Sequence, residues 1–368
     1  MELSPALNNA YTRDNLTARQ AQLRAEFIAW GPAIFQATRI MLKYGILEML
    51  RDSENGLTQE EICEKTGLGE YMVKCLLEAS LTIGTILIDP DRERYRLGKT
   101  GWFLLIDPAT RTDIRFNHDV NYQGWFRLEE SFLNGKPEGL RHFGNWKTVY
   151  EGLSSLPEEV QESWFAFDHF YSDHSFDSAL EIIFGNYAPH TVFDVGGNTG
   201  RWALKCVEYD KNVKVVVFDL PPQIEMMRRN IEGCRGAERI SGYGIDLLEK
   251  EEEFPKDRQP DIIWMSQFLD CFAPEQIVSI LERAARTMGR HSRLLIMETL
   301  WDRQVYEPAA LALTMTSLYF AAIANGNSKM YNTKDLCTCI ERAGLEIEKT
   351  YDGLGHGHTV LACKRKLN

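Results

Sequence analysis

The chain has 368 residues, 44% of them hydrophobic and 26% charged, a composition that points to a soluble globular protein of two domains. Its formal net charge of -12, from 41 basic and 53 acidic side chains, argues against non-specific nucleic-acid binding, which needs clustered Lys and Arg. The opening MELSPALNNAYTRDNLTARQ lacks the apolar stretch of a signal peptide, so a cytoplasmic chain is expected, with no membrane partner. The eight cysteines are scattered without a CxxC pair or a zinc spacing, which reads as reduced core thiols and no metal site.

Taken in chain order, residues 25–52 read as helix, with Ile34, Ile40, Met41, Ile46, Leu47 and Leu50 on its apolar face. Thr58 with Glu61 three residues on is a capping box, so a helix starts there. The turn Thr66-Gly67-Leu68-Gly69 leads to a second helix over 70–82. Residues 85–88 and 95–97 then flank Asp89-Pro90-Asp91-Arg92-Glu93 as a hairpin. Helix, turn, helix, hairpin is the order of a winged helix. The second helix carries one base, Lys74, against Glu70 and Glu78, so it is a poor reader of DNA and suits protein packing. Residues 1–110 are assigned to this domain and 111–185 to an aromatic-rich helical linker.

From residue 186 to 368 the pattern changes to alternating strand and helix. Strands are expected at 191–195, 213–218, 261–265 and 293–297, with helices at 202–208, 222–231 and 274–287. That alternation predicts an α/β doubly wound parallel sheet. Residues 345–351 and 358–363, joined by a Gly-rich loop, should pair antiparallel. The apolar stretch 309–324 is about one turn too short to span a bilayer and carries Thr314, Thr316 and Ser317, so it reads as a buried helix.

Asp194-Val195-Gly196-Gly197-Asn198-Thr199-Gly200 follows the first of these strands and opens a helix, and Asp219 ends the next strand. Glycine lets such a turn approach a ligand closely, and an acidic side chain at the second strand end accepts ribose hydroxyls. The dinucleotide pattern fails because Asn198 and Arg201 stand where it needs glycine and a small residue; the phosphate loop fails for want of its Lys. An acidic residue, a Gly-Gly-x-x-Gly loop and an acidic ribose ligand suit S-adenosylmethionine, which has no phosphate. A purely structural glycine turn is the alternative.

Phe193 to Gly200, Val217-Phe218-Asp219-Leu220-Pro221 and Ile245-Asp246-Leu247-Leu248 together resemble the small-molecule O-methyltransferase family of the caffeate, hydroxyindole and bacterial polyketide type. Tyr95 to Gly101, Asn134 to Pro137 and Gly144-Asn145-Trp146 extend the likeness over nearly the whole chain. The resemblance implies a seven-stranded Rossmann-like sheet, a homodimer through the N-terminal domain, and S-adenosylmethionine as cofactor. It places Gly196 and Gly197 at the methionine part, Asp219 at the ribose, Asp246 at the adenine amino group and Leu247 on the adenine face. Asp194, Gly200, Leu220 and Ser266 complete the cofactor set. Met315, Tyr319 and Phe320 would face the acceptor, a small aromatic or polyketide-like molecule.

The chain departs from the family at its base. Asp270 stands where the family has its catalytic His, Glu298 matches the first orienting Glu, and Met330 replaces the second. An ordinary Asp is a weak base near pH 7, although burial beside Glu298 would raise its pKa. Otherwise Asp270 is a helix N-terminal residue ahead of Pro274 favoured by the helix dipole. His169 and His174 lie in a segment that in the family runs near the pocket; His356 and His358 sit in the last hairpin loop, expected to emerge solvated on the ligand-binding face. Methyl transfer is the leading reading, and a cofactor-binding relative that has lost or changed methyl transfer is the alternative.

Overall fold

The structure, a computed structural model, describes residues 3–366. It divides into two compact units, residues 14–118 and residues 1–13 with 119–368. Helix α1 (Pro5–Tyr11), with Ser4 as its cap, belongs to the larger unit. There the Ser4 amide donates to the Asp302 carbonyl at 2.9 Å and its hydroxyl to the Gln304 carbonyl at 2.6 Å. Residues 3–13, assigned from sequence to the N-terminal domain, therefore belong to the larger unit. Residues 119–185 likewise belong to the larger unit.

The smaller unit holds α2 (Ala18–Ala29), α3 (Gly31–Lys43), α4 (Ile46–Arg51), α5 (Gln59–Thr66), α6 (Glu70–Ile83), the hairpin β1 (Ile86–Asp89) and β2 (Arg94–Leu97), α7 (Lys99–Ile106) and α8 (Pro108–Phe116). The single helix expected over 25–52 is three. Gly31 and Pro32 open α3, and Gly45 at φ +66° breaks the chain before α4. The capping box at Thr58 forms as expected, and the Glu61 carboxylate also accepts from Arg94 at 2.8 Å, tying α5 to β2. Met41, Leu47, Ile62, Val73, Leu77 and Ile86 make the core. Lys74, Glu70 and Glu78 all point to solvent, while Val73, Leu76 and Leu77 of α6 are buried.

In the larger unit, α9 (Leu128–Asn134), α10 (Val149–Gly152), α11 (Glu158–Asp173) and α12 (Phe176–Tyr187) precede the sheet. Then come β3 (Thr191–Val195), α13 (Arg201–Tyr209), β4 (Lys214–Asp219), α14 (Pro221–Ile231), β5 (Ile240–Gly244), β6 (Ile262–Ser266), α15 (Pro274–Thr287), β7 (Arg293–Glu298), α16 (Glu307–Tyr319), α17 (Thr333–Arg342), β8 (Leu345–Leu354) and β9 (His358–Arg365). The seven strands lie in the order β5-β4-β3-β6-β7-β9-β8, with β9 antiparallel to its neighbours and the first five parallel. Strand periodicity of two divides the core between the faces. Phe193, Phe218, Ile263 and Ile296 pack on one side with α15 and α17; Val192, Val217, Trp264 and Leu295 pack on the other with α12, α13 and α14.

Strand β5 has no counterpart in the sequence reading. It is an edge strand, Ile-Ser-Gly-Tyr-Gly, with only its first residue buried, so it shows neither an apolar run nor an alternation. The apolar stretch near residue 309 runs longer than expected: α16 continues as a π-helical turn over Phe320–Ala324, giving a largely apolar helical stretch of 18 residues, Glu307–Ala324. By length and composition it is long enough to cross a membrane, yet Ala310, Leu313 and Tyr319 to Ala324 are buried within the unit.

Candidate active site

All five parallel strands point their carboxyl ends the same way, and the motif residues collect along that edge. Such an edge is where open α/β sheets bind ligands. After β3 the backbone turns through Gly196 at φ +77° and Gly200 at φ +81°, and the Gly196 amide donates to the Phe218 carbonyl at 2.8 Å. A Cβ on Gly197 would stand 2.6 Å from Asp194 Oδ2, and one on Gly196 would stand 2.4 Å from the Phe268 ring. Neither position has room for a side chain, which explains the two glycines.

Asp194 itself is 3% exposed, its Oδ2 has no hydrogen-bond partner, and burial with the nearby Asp219 charge pushes its pKa up to about 8. A buried unpaired polar atom at a glycine-lined turn is a place prepared for a ligand donor. Asp219 accepts the Asn198 amide at 2.8 Å and the Leu220 amide at 2.7 Å, so it closes the loop as well as standing at the end of β4. Beyond β5, Asp246 accepts the Leu248 amide at 2.9 Å and Leu247 is buried. Arg283 of α15 reaches under this turn and donates to the carbonyls of Leu247, Glu249 and Glu252.

A partly open cleft of about 100 Å3 lies at the β3 and β6 ends, lined by Asp168, His169, Asp194, Gly196, Gly197, Ser266 and Gln267 among others. Asp194, Gly196, Gly197 and Ser266 were expected there. Asp168 and Gln267 were not. Gln267 sits at φ +46°, a conformation rare outside glycine and common at functional turns. Its signal is absent from sequence, because only the backbone angle reveals it.

Next to this cleft, residues 268–270 make a tight turn held by Glu298, whose Oε1 accepts the amides of Phe268 at 3.1 Å and Leu269 at 2.8 Å. Asp270 is 7% exposed on a short helical turn, and Ala273, three residues on, takes the cap position of α15. Burial pushes the Asp270 carboxyl up to about 6, and burial with the Asp270 charge raises Glu298 well above its ordinary range. The Cys271 thiol donates to Asp270 at 3.5 Å and accepts from Tyr150 at 3.1 Å. Tyr319 accepts the Trp164 indole N–H at 2.7 Å and feels the Asp168 and Asp270 charges. Tyr319, Phe320 and Met330 are buried, whereas Met315 is 47% exposed.

The last hairpin corrects the solvated-loop expectation for His358, while His356 is exposed as expected. His356 stacks on Phe170 with ring centroids 4.6 Å apart, and lies 4.3 Å from His174. His358 is fully buried, with Nδ1 2.8 Å from Ser175 Oγ, and burial lowers its pKa to about 3, so it stays neutral. Among the described residues no group of three or more His, Cys, Asp or Glu is arranged to hold a metal ion.

A family model for a Dimerisation2-like domain matches residues 22–95, and one for an O-methyltransferase domain matches residues 177–345, the stretch that carries the cleft. Residues 177–345 belong to the O-methyltransferase family. This methyltransferase is 22% identical over 320 residues to the mitomycin biosynthesis 6-O-methyltransferase of Streptomyces lavendulae, covering 86% of each chain. It is 20% identical over 341 residues to the phenazine-1-carboxylate N-methyltransferase of Pseudomonas aeruginosa, covering 92% of this chain and 95% of that one. Among solved structures, the S-adenosylmethionine-dependent methyltransferase SibL superposes with a TM-score of 0.69 at 23% identity, over 93% of this chain and 98% of that one. The O-methyltransferase NcsB1 of neocarzinostatin biosynthesis gives 0.65 at 17% identity, over 90% and 96%. At these identities the superpositions establish the fold.

Proposed function

We propose that this methyltransferase transfers a methyl group from S-adenosylmethionine to a hydroxyl on a small aromatic or polyketide-like acceptor. The observation that carries the reading is the carboxyl-edge cleft: a glycine turn with no room for side chains, an unpaired buried Asp194 oxygen facing it, and acidic Asp219 at the next strand end. The residues fit the cofactor. Gly196, Gly197 and Gly200 would lie along its methionine part with Asp194 and Ser266, Asp219 and Leu220 at its ribose, and Asp246 and Leu247 at its adenine. When bound, the cofactor supplies a methyl group on a positively charged sulfur, open to in-line displacement.

The protein's own work is to hold the acceptor hydroxyl in line and to take its proton. Alignment supplies much of the rate in such a displacement. Asp270, in the position the family gives to its base, is buried enough to have a pKa of about 6, well placed for proton transfer near neutrality. Glu298 fixes the turn that presents it. Tyr319, Phe320 and Met330 form an apolar wall for a flat acceptor. The smaller unit carries many exposed apolar side chains, among them Ile28 at 81% and Tyr71 at 84%, and with its dimerisation-like match this favours a cytoplasmic homodimer. The test is release of S-adenosylhomocysteine in the presence of a panel of phenols, naphthols and hydroxyindoles. Release dependent on one acceptor class supports the reading; tight cofactor binding with no methylated product from any of them overturns it.

A further inference from the structure

The cofactor cleft has one wall that its own packing fixes weakly. From Phe165 to His174, the second half of α11 and its cap, every residue is partly buried or exposed, whereas Val160, Ser163 and Trp164 before them and Ser175 and Phe176 after them are buried. Yet this half supplies Asp168, His169, Ser172 and Asp173 to the cleft, followed by Phe176 at the start of α12. Residues four apart on a helix share a face, so these four make one edge of α11 while Phe170 and His174 lie on another. Asp173 meets Arg201 of α13 at 2.6 Å, but the two side chains are 28% and 49% exposed, and such ion pairs hold little.

The tip of the last hairpin grips the other edge. His356 stacks on Phe170 with ring centroids 4.6 Å apart and planes 14° apart, and lies 4.3 Å from the His174 ring. Gly355 approaches so closely that a Cβ there would stand 2.8 Å from the His174 carbonyl oxygen and 2.7 Å from Ser175 Oγ. Fully buried His358 places Nδ1 2.8 Å from the hydroxyl of Ser175, which is itself fully buried and opens α12. The hairpin is firmly rooted: β9 pairs with both β7 and β8, and Gln304, 3% exposed, donates to the carbonyls of Gly357 and Leu300 at 2.9 Å each. Contacts therefore run from the sheet through the hairpin to the back of the cleft wall.

We propose that this hairpin tip positions the α11 wall for S-adenosylmethionine, with His356, His358 and Ser175 as positioning residues that act through α11 and touch no ligand. The inference rests on the cofactor reading and goes beyond it, because none of the three is among the residues that line the cleft. It gives His358 a part in a site whose wall lies 183 positions away in sequence.

Two small substitutions test it on the full-length protein. His356→Ala removes the stack, and Ser175→Ala removes the hydroxyl; neither alters a residue of the wall. In calorimetry, S-adenosylhomocysteine affinity should weaken about fivefold in His356→Ala and about tenfold or more in the double variant, the scale of one aromatic contact and one hydrogen bond. His356→Phe keeps the stack and should bind like the parent. Hydrogen exchange in the ligand-free protein should quicken at amides 168–176 of His356→Ala and stay unchanged in β3 and β4. Parent-strength affinity in the double variant overturns the proposal. So does a His356→Phe variant as weak as His356→Ala, because the imidazole itself would then matter rather than its packing. A rise in exchange that extends equally to β3 and β4 also overturns it, since the loss would be one of global stability. If the parent protein binds no S-adenosylhomocysteine, the cofactor reading falls, and the exchange comparison alone then decides whether the hairpin holds the wall.

Discussion

Arg283 offers a perturbation whose size follows from its contacts. It is 2% exposed, and its guanidinium donates to the Leu247 carbonyl at 2.5 Å, Glu249 at 3.0 Å, Glu252 at 2.8 Å and Ser279 at 3.2 Å. No carboxylate forms an ion pair with it; burial lowers its pKa, and only more distant acids oppose that. Its work is therefore to hold the turn that carries Asp246 and Leu247. Arg283→Met keeps most of the volume and removes every donor. The Leu247 carbonyl, against a buried residue, would lose a charge-assisted hydrogen bond worth about 1.5–3 kcal/mol. The Glu249 and Glu252 carbonyls belong to exposed residues and recover water, so each would lose about 0.5 kcal/mol. Relief from burying a charge offsets part of this, which leaves a net loss of about 2–3 kcal/mol. For a unit of this size that lowers Tm by about 5–10 °C in a thermal scan. Because the loosened turn carries the residues proposed to hold the adenine, S-adenosylhomocysteine affinity should fall by about tenfold in calorimetry, the equivalent of about 1.4 kcal/mol. A Tm within about 2 °C of the parent with unchanged affinity would refute the reasoning, since it would mean the turn holds its shape without the guanidinium.

Further outcomes follow from the same structure. The rate with a saturating acceptor should rise with pH through about 6, where Asp270 gives up its proton, and Asp270→Asn should abolish that rise and lower turnover by roughly a hundredfold. Carboxyls raised in the folded state add stability that is present below their unfolded pKa and lost as pH rises through the folded one. Asp168 at about 7 and Asp194 at about 8, both from 3.8, should therefore make Tm of the ligand-free protein fall as pH rises from about 4 to about 8 and level off above that. His358, held neutral with a folded pKa of about 3 against 6.5, opposes them in part, because it costs stability as pH falls from about 6.5 towards 3. Light scattering should report twice the chain mass, and charged replacements at Ile28 and Tyr71 together should yield a monomer.

Where the sequence reading succeeded, the signal was local. Four apolar runs bounded by turn residues became β3, β4, β6 and β7, and the capping box at Thr58 became the start of α5. The glycine turn and the strand-ending acids stand where spacing put them, because strand and turn geometry are set by neighbours in sequence. What the sequence concealed depends on contacts across long separations. Strand β5 exists because β4 offers it an edge, not because Ile-Ser-Gly-Tyr-Gly favours extension. Ser4, which caps α1, docks beside residues 302 and 304, about three hundred positions away. Asp168 became a site residue only when α11 placed it beside the cleft, and His358 became a buried neutral side chain only when the hairpin closed on Ser175. No pattern in the neighbouring residues encodes either meeting.

The central claim is that the 194–200 turn and Asp219 bind the methyl donor's nucleoside and amino-acid parts. Titrating S-adenosylhomocysteine into the parent protein and into Asp219→Ala tests it most directly, with NAD as the control ligand. The account predicts one site per chain in the parent, a loss of at least about tenfold in Asp219→Ala with the overall fold retained, and no heat from NAD. Equal affinity in the two proteins, or a saturable site for NAD, would contradict it.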